Sequence, residues 1–257
     1  MKAFSVISRR RYKTKNKTFT IFRMATEAFK RNWLPGLILQ LFGVMVVVAY
    51  YFIAPFRNVL QIVADMKASG GYIFSAVITA IFAGFIPFIV QIIFEKERPN
   101  RMHVWAGVFL MFFWAYRGVE VDLLYRYQAI WFGDELSFTV ILKKTLIDQF
   151  IYAPFWSIAI VTLGILFKDC RLSWRTFRRQ IDRTFITVTY PSIVFSTWII
   201  WVPGVAIIYS LPQLLQVPMM NIIACFYAIL VMYLTRHRKE LRQQADLDES
   251  AIAVDVT

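Results

Sequence analysis

The chain has 257 residues, 58% of them hydrophobic and 17% aromatic, with a mean hydropathy of +0.54, well above the ~45–50% apolar share of soluble domains. Its formal net charge of +13 would suggest nucleic acid in a soluble protein, but here the basic residues stand at the ends of long apolar runs, where orientation signals and anionic headgroups account for them. Two cysteines, Cys170 and Cys225, make no disulfide framework, and two histidines, His103 and His237, stand far from any metal-ligand spacing, so neither a metal nor another cofactor is expected.

Residues 1–35 read as a basic arm, with ten Lys and Arg and a single acid, Glu27. Two readings stay open for it. One is a cytoplasmic flank that fixes the orientation of the first span. The other is an Arg-rich, acid-poor transit peptide.

Residues 36–235 read as the transmembrane domain. The first two uncharged stretches cover 33–56 and 68–94, the second containing Gln91, and each exceeds the roughly 20 residues that cross about 30 Å of hydrocarbon. The third run, 104–116, has only 13 residues, about 20 Å of helix. It crosses if its helix continues through Arg117, Glu120, Asp122 and Arg126 toward Phe132. Spacing favours this, because Asp122 and Arg126 are four apart with the acid first and Arg117 and Glu120 are three apart, both helical pair positions. The fourth span is expected at 149–167 with Asp148 at its head, a position where an acid caps a helix.

The segment 168–183 carries six basic residues and reads as a loop or short surface helix. From Thr184 to Thr235 the chain then runs 52 residues without Asp, Glu, Lys or Arg, enough to cross, turn and cross back. Pro212 with Gln213 marks the turn, and Pro191, Pro203 and Pro218 predict kinked or interrupted helices. Residues 236–257, basic and then acidic, read as a membrane stop and a disordered tail.

These elements predict an all-α, polytopic transmembrane bundle of about six spans with proline-interrupted C-terminal helices. With the N-terminus inside, 23 of the 29 basic residues fall in inner segments, the asymmetry that the positive-inside rule asks of an even number of spans.

Phosphate-loop, HExxH, GxSxG and CxxC motifs are absent, and an enzyme is not expected. Chemistry therefore falls to polar groups at membrane depth, which are costly there and turn toward the bundle interior or water. The candidates are Arg117, Glu120, Asp122 and Arg126, then Asp148 with Gln149, and the uncharged Gln91 and Asn221, whose plainer role is hydrogen bonding between helices.

The stretch Lys143-Lys144-Thr-Leu-Ile-Asp148-Gln149-Phe-Ile-Tyr-Ala153-Pro154 resembles the K-x-x-x-DQ-x-x-x-AP signature of the Mpv/PMP family of peroxisomal and mitochondrial inner-membrane proteins. Trp198-Ile-Ile-Trp201-Val-Pro203 is similar to that family's W-x-x-W-x-P element, and Asn221 falls where its last helix carries a similar residue. Beyond Pro203 the family's usual Gln, Asn-Phe and Arg give way to Val205, Ile208, Ser210 and Gln216. The resemblance implies a weakly selective pore for small solutes, with Asp148, Gln149, Pro154, Trp201, Pro203 and Asn221 as the shared residues. It also implies a mitochondrial inner or peroxisomal membrane for a eukaryotic chain and the inner or plasma membrane for a bacterial relative.

Two functions are thus expected in competition. The first is a small-solute channel lined by Asp148, Gln149 and the cluster from Arg117 to Asp122. The second is a non-transporting scaffold or assembly factor that uses its basic segments to hold anionic lipid or a partner protein. Partners expected on either reading are the lipid bilayer with its anionic headgroups and a second copy of the chain, not nucleic acid.

Overall fold

The structure, a computed structural model, describes the backbone of residues 17–95 and 100–255 and the side chains of residues 33–94 and 100–236. Among the described residues every regular element is helical. Six helices within the described residues are long and apolar enough to cross a membrane: Trp33–Phe52, Ala54–Phe94, Arg101–Phe132, Phe138–Asp169, Phe185–Tyr209 and Gln213–Arg236, spans one to six. The chain is an all-α multi-pass membrane protein. Its outer surface agrees, since Ile73, Phe112 and Phe155 are at least 75% exposed, an arrangement that water would penalise and lipid accepts.

Span one is the end of a helix that begins at Lys17, so the C-terminal half of the basic arm is helical, while its first 16 residues and the transit-peptide reading lie outside the described residues. Span two starts earlier than expected, at Ala54 rather than Ala68. Leu60, Ala64 and Lys67 recur on one buried face of its first half, which makes that half an amphipathic helix rather than a loop. Gly71, with φ 52° and ψ −127°, breaks it, a backbone setting open to glycine because it has no Cβ.

Span three runs unbroken from Arg101 to Phe132, as the ion-pair spacing predicted. Asn100 caps its start, its Oδ1 accepting from the His103 amide at 3.0 Å while its own amide donates to His103 Nδ1 at 3.2 Å. Gly133 ends it at φ 87°.

The fourth span corrects the sequence reading. Its helix begins at Phe138, capped by Ser137, whose Oγ accepts from the Val140 amide, and Asp148 lies well inside it rather than at its head. The sequence places the boundary at Asp148 because a charge ordinarily ends a span. Asp148 and Lys144 are buried, at 5% and 3% exposure, so here charge lies within the bundle.

Residues Asp148–Ser157 form a π-helical stretch, in which carbonyls pair with amides five residues on, and Pro154 inside it has no amide hydrogen to give. A surface helix, Trp174–Gln180, capped by Ser173, follows span four. Span five contains Pro203 and opens with a short π-helical turn at Phe185–Thr189. After the turn at 210–212, the last helix, with Pro218 inside it, continues through the tail to Asp255. The Arg, Lys, Glu, Leu, Gln and Ala of 236–245 are strong helix formers.

Packing is centred where spans one, two, three, five and six meet. Leu39, Val121, Tyr125, Ile208, Tyr209, Leu211, Leu215 and Ile223 form one buried cluster. Phe42 stacks on Phe226 at 4.8 Å, and the Tyr51 hydroxyl donates to the Ser210 carbonyl at 2.9 Å, which brings the end of span one to the turn between spans five and six. Spans two and three pack closely at Gly118, where an added Cβ would sit 2.2 Å from the Ser75 carbonyl oxygen.

Candidate functional site

The polar residues that the sequence places in one cluster on span three separate in space. Arg117 and Asp122 are five residues apart, about 140° around a helix of 3.6 residues per turn, so they meet different neighbours.

Asp122 turns to span two. Its Oδ2 accepts from Lys67 Nζ at 2.5 Å and from Ser75 Oγ at 3.0 Å, and its Oδ1 from Arg126 Nε at 3.1 Å. Lys67 and Asp122 are almost wholly buried, whereas the Arg126 side chain is 37% exposed and lies over the Tyr72 ring at 4.6 Å. Lys67 Nζ also donates to the Gly71 carbonyl at 3.0 Å. The break in span two thus leaves a carbonyl for the lysine, and the lysine joins the break to span three.

Arg117 turns to span four. Its guanidinium bonds the Glu120 carboxylate and donates from Nη2 to Ser157 Oγ at 2.6 Å. Glu120 also accepts from the Tyr152 hydroxyl. Arg117 Nε is buried without a hydrogen-bond partner.

Asp148 faces the same interior from span four. Its Oδ2 accepts from the Tyr209 hydroxyl at 2.6 Å and its Oδ1 from Gln149 Nε2 at 2.9 Å, and Gln149 Oε1 is buried without a partner. The π-helical stretch is tied to span five by two carbonyls: Gln149 accepts from Trp198 Nε1 at 2.6 Å, and Pro154 accepts from the Tyr190 hydroxyl. Proline and the wider π turn loosen the local ladder, and aromatic donors from the neighbouring span take up the carbonyl groups so exposed.

Arg117, Asp148 and Gln149 line a cavity of about 370 Å³ between spans three, four, five and six. Tyr125 and Tyr152 complete its polar end, while Ile158, Val161, Ile165, Ile193 and Trp201 form apolar wall. Of the other sequence candidates, Glu120 reaches the cavity through its bond to Arg117, and Asp122 and Arg126 belong to the Lys67 cluster. Asn221, fully buried, donates to Thr79 Oγ1 at 2.9 Å and to the Val217 carbonyl at 3.0 Å, joining spans six and two. Gln91 is half-buried on span two and is not part of the cavity wall. Among the residues of the resemblance, Trp201 lines the cavity, Trp198 and Pro154 shape the segment that carries Asp148, and Pro203 lies inside span five.

Sequence reasoning missed Lys67, which falls just before the second expected span, and the tyrosines 125, 152 and 209. For Lys67 a signal existed: with Leu60 and Ala64 it falls on one helical face. The tyrosines looked like the interface anchors that most membrane tyrosines are. Outside the spans, burial pushes the Cys170 thiol above its usual range, and the neighbouring Asp169 adds to the effect. Compared with known protein families, curated proteins and solved structures, the chain finds no match, so the likeness to the Mpv/PMP family rests on the quoted residues alone.

Proposed function

We propose that this membrane protein is a weakly selective channel for small solutes, with the cavity between spans three to six as the widest part of its path. The cavity itself carries the reading. Its volume of about 370 Å³ lies in the range of small-molecule sites, and charged and amide side chains from separate spans converge on it, as they do where solutes pass through helical bundles. Buried polar atoms that lack partners, Arg117 Nε and Gln149 Oε1, are what a passing solute or its water would satisfy. The Asp148-Gln149 and Trp201 positions of the Mpv/PMP resemblance line the same space.

Flux in liposomes tests the reading. Vesicles containing the purified protein should release small neutral and charged solutes faster than empty vesicles, with a size limit. No flux above empty vesicles across a range of sizes overturns the channel and leaves the lipid- or partner-binding scaffold. Orientation follows the basic residues: a single cysteine at Arg175 should label from the side of the termini and one at Glu135 from the opposite side.

A further inference from the structure

The cavity wall carries one carboxyl group, Asp148, that has no ion-pair partner among the described residues. Arg117 is engaged with Glu120 and Ser157, and Lys67 and Arg126 are engaged with Asp122. Asp148, 5% exposed, accepts from Tyr209 and Gln149, both neutral donors, and among the described residues no cation forms an ion pair with it. A carboxylate removed from water without a counter-charge is costly. Its two oxygens offer about four acceptor positions, of which the two neutral donors use half.

From this arrangement we infer that the cavity binds small organic cations, primary ammonium compounds with a short apolar chain. Asp148 supplies the counter-charge. An ammonium group has three donors and no acceptor, which suits the carboxylate together with the unpartnered Gln149 Oε1. Trp114, Tyr125, Tyr152, Trp201 and Tyr227 stand on the cavity wall, and aromatic rings attract cations through their quadrupoles. The apolar chain of the ligand would lie along Ile158, Val161 and Ile165. An anionic ligand is disfavoured, because Arg117, the one cation on the wall among the described residues, is already ion-paired with Glu120.

This inference rests on reading the cavity as the solute site, yet binding and flux are measured separately. In the first experiment radiolabelled butylammonium is titrated onto the full chain in detergent, with butanoate and butanol as competitors. Saturable binding is expected, displaced by unlabelled butylammonium and far less by the other two. Equal displacement by butanol, preference for butanoate, or no saturable binding overturns the inference on the native protein, whatever any variant does. Asp148→Asn keeps the size and one of the two acceptor oxygens while removing the charge, and should weaken butylammonium by at least about 30-fold, the effect of removing one partner of a buried charge pair. An unchanged affinity in a folded Asp148→Asn protein also overturns it. Saturable, charge-selective binding without liposome flux supports the ligand assignment and refutes the channel, whereas flux without ammonium preference does the reverse.

Discussion

Asp122→Asn and Lys67→Met remove the two halves of one buried ion pair, and their costs should differ. At 2.5 Å and an effective dielectric constant of about 20, the gross attraction is roughly 7 kcal/mol, most of it offset by the desolvation of both groups. Asp122→Asn leaves Lys67, 2% exposed, with the Gly71 carbonyl as its remaining strong acceptor, and should cost about 3–5 kcal/mol. Lys67→Met leaves Asp122 with Arg126 and Ser75, and Arg126 reaches solvent or headgroups, so the cost should be about 1–3 kcal/mol. The double variant carries no stranded charge at either position and should be more stable than Asp122→Asn alone. Unfolding in detergent, followed by tryptophan fluorescence across the full double-mutant cycle, measures the coupling. Equal single costs that simply add in the double variant would refute the buried pair.

Further tests follow from single contacts. Gly118→Ala, whose methyl would meet the Ser75 carbonyl at 2.2 Å, should lower stability by about 1–3 kcal/mol, whereas Gly204→Ala, with nothing within 4 Å, should be neutral or stabilising. Equal effects in the same unfolding assay would contradict the packing of spans two and three. Trp198→Phe removes the donor to the Gln149 carbonyl and should cost about 1–2 kcal/mol, with faster amide exchange confined to Asp148–Ser157; unchanged exchange there would count against the tie. For Cys170, the reactive species is the thiolate, and a raised thiol pKa means less thiolate at any given pH. In a Cys225→Ser background, maleimide labelling at pH 7 should be slower than that of a free thiol and should climb as pH rises, and labelling at the free-thiol rate would refute its burial.

Six spans were legible in the residue order because crossing lipid is a local requirement: about 20 apolar residues must follow one another, and every backbone polar group must close within its own helix. The continuation of span three through Arg117 and Asp122, and the Asp122 to Arg126 pair within it, were legible for the same reason, since positions four apart on a helix meet wherever the helix goes. Part of the candidate site was also visible, as Arg117, Asp148 and Gln149 stood out as polar residues in an apolar chain. What composition could not reveal was which of these groups would meet. Lys67 reaches Asp122 across 55 positions, Tyr209 reaches Asp148 across 61, and the start of span four was misplaced because Lys144 and Asp148 are charged yet buried. Whether a charge can lie within a span depends on what the neighbouring spans offer it, so packing decided that Asp122 meets Lys67 while Asp148 is left beside the cavity with the neutral donors Tyr209 and Gln149.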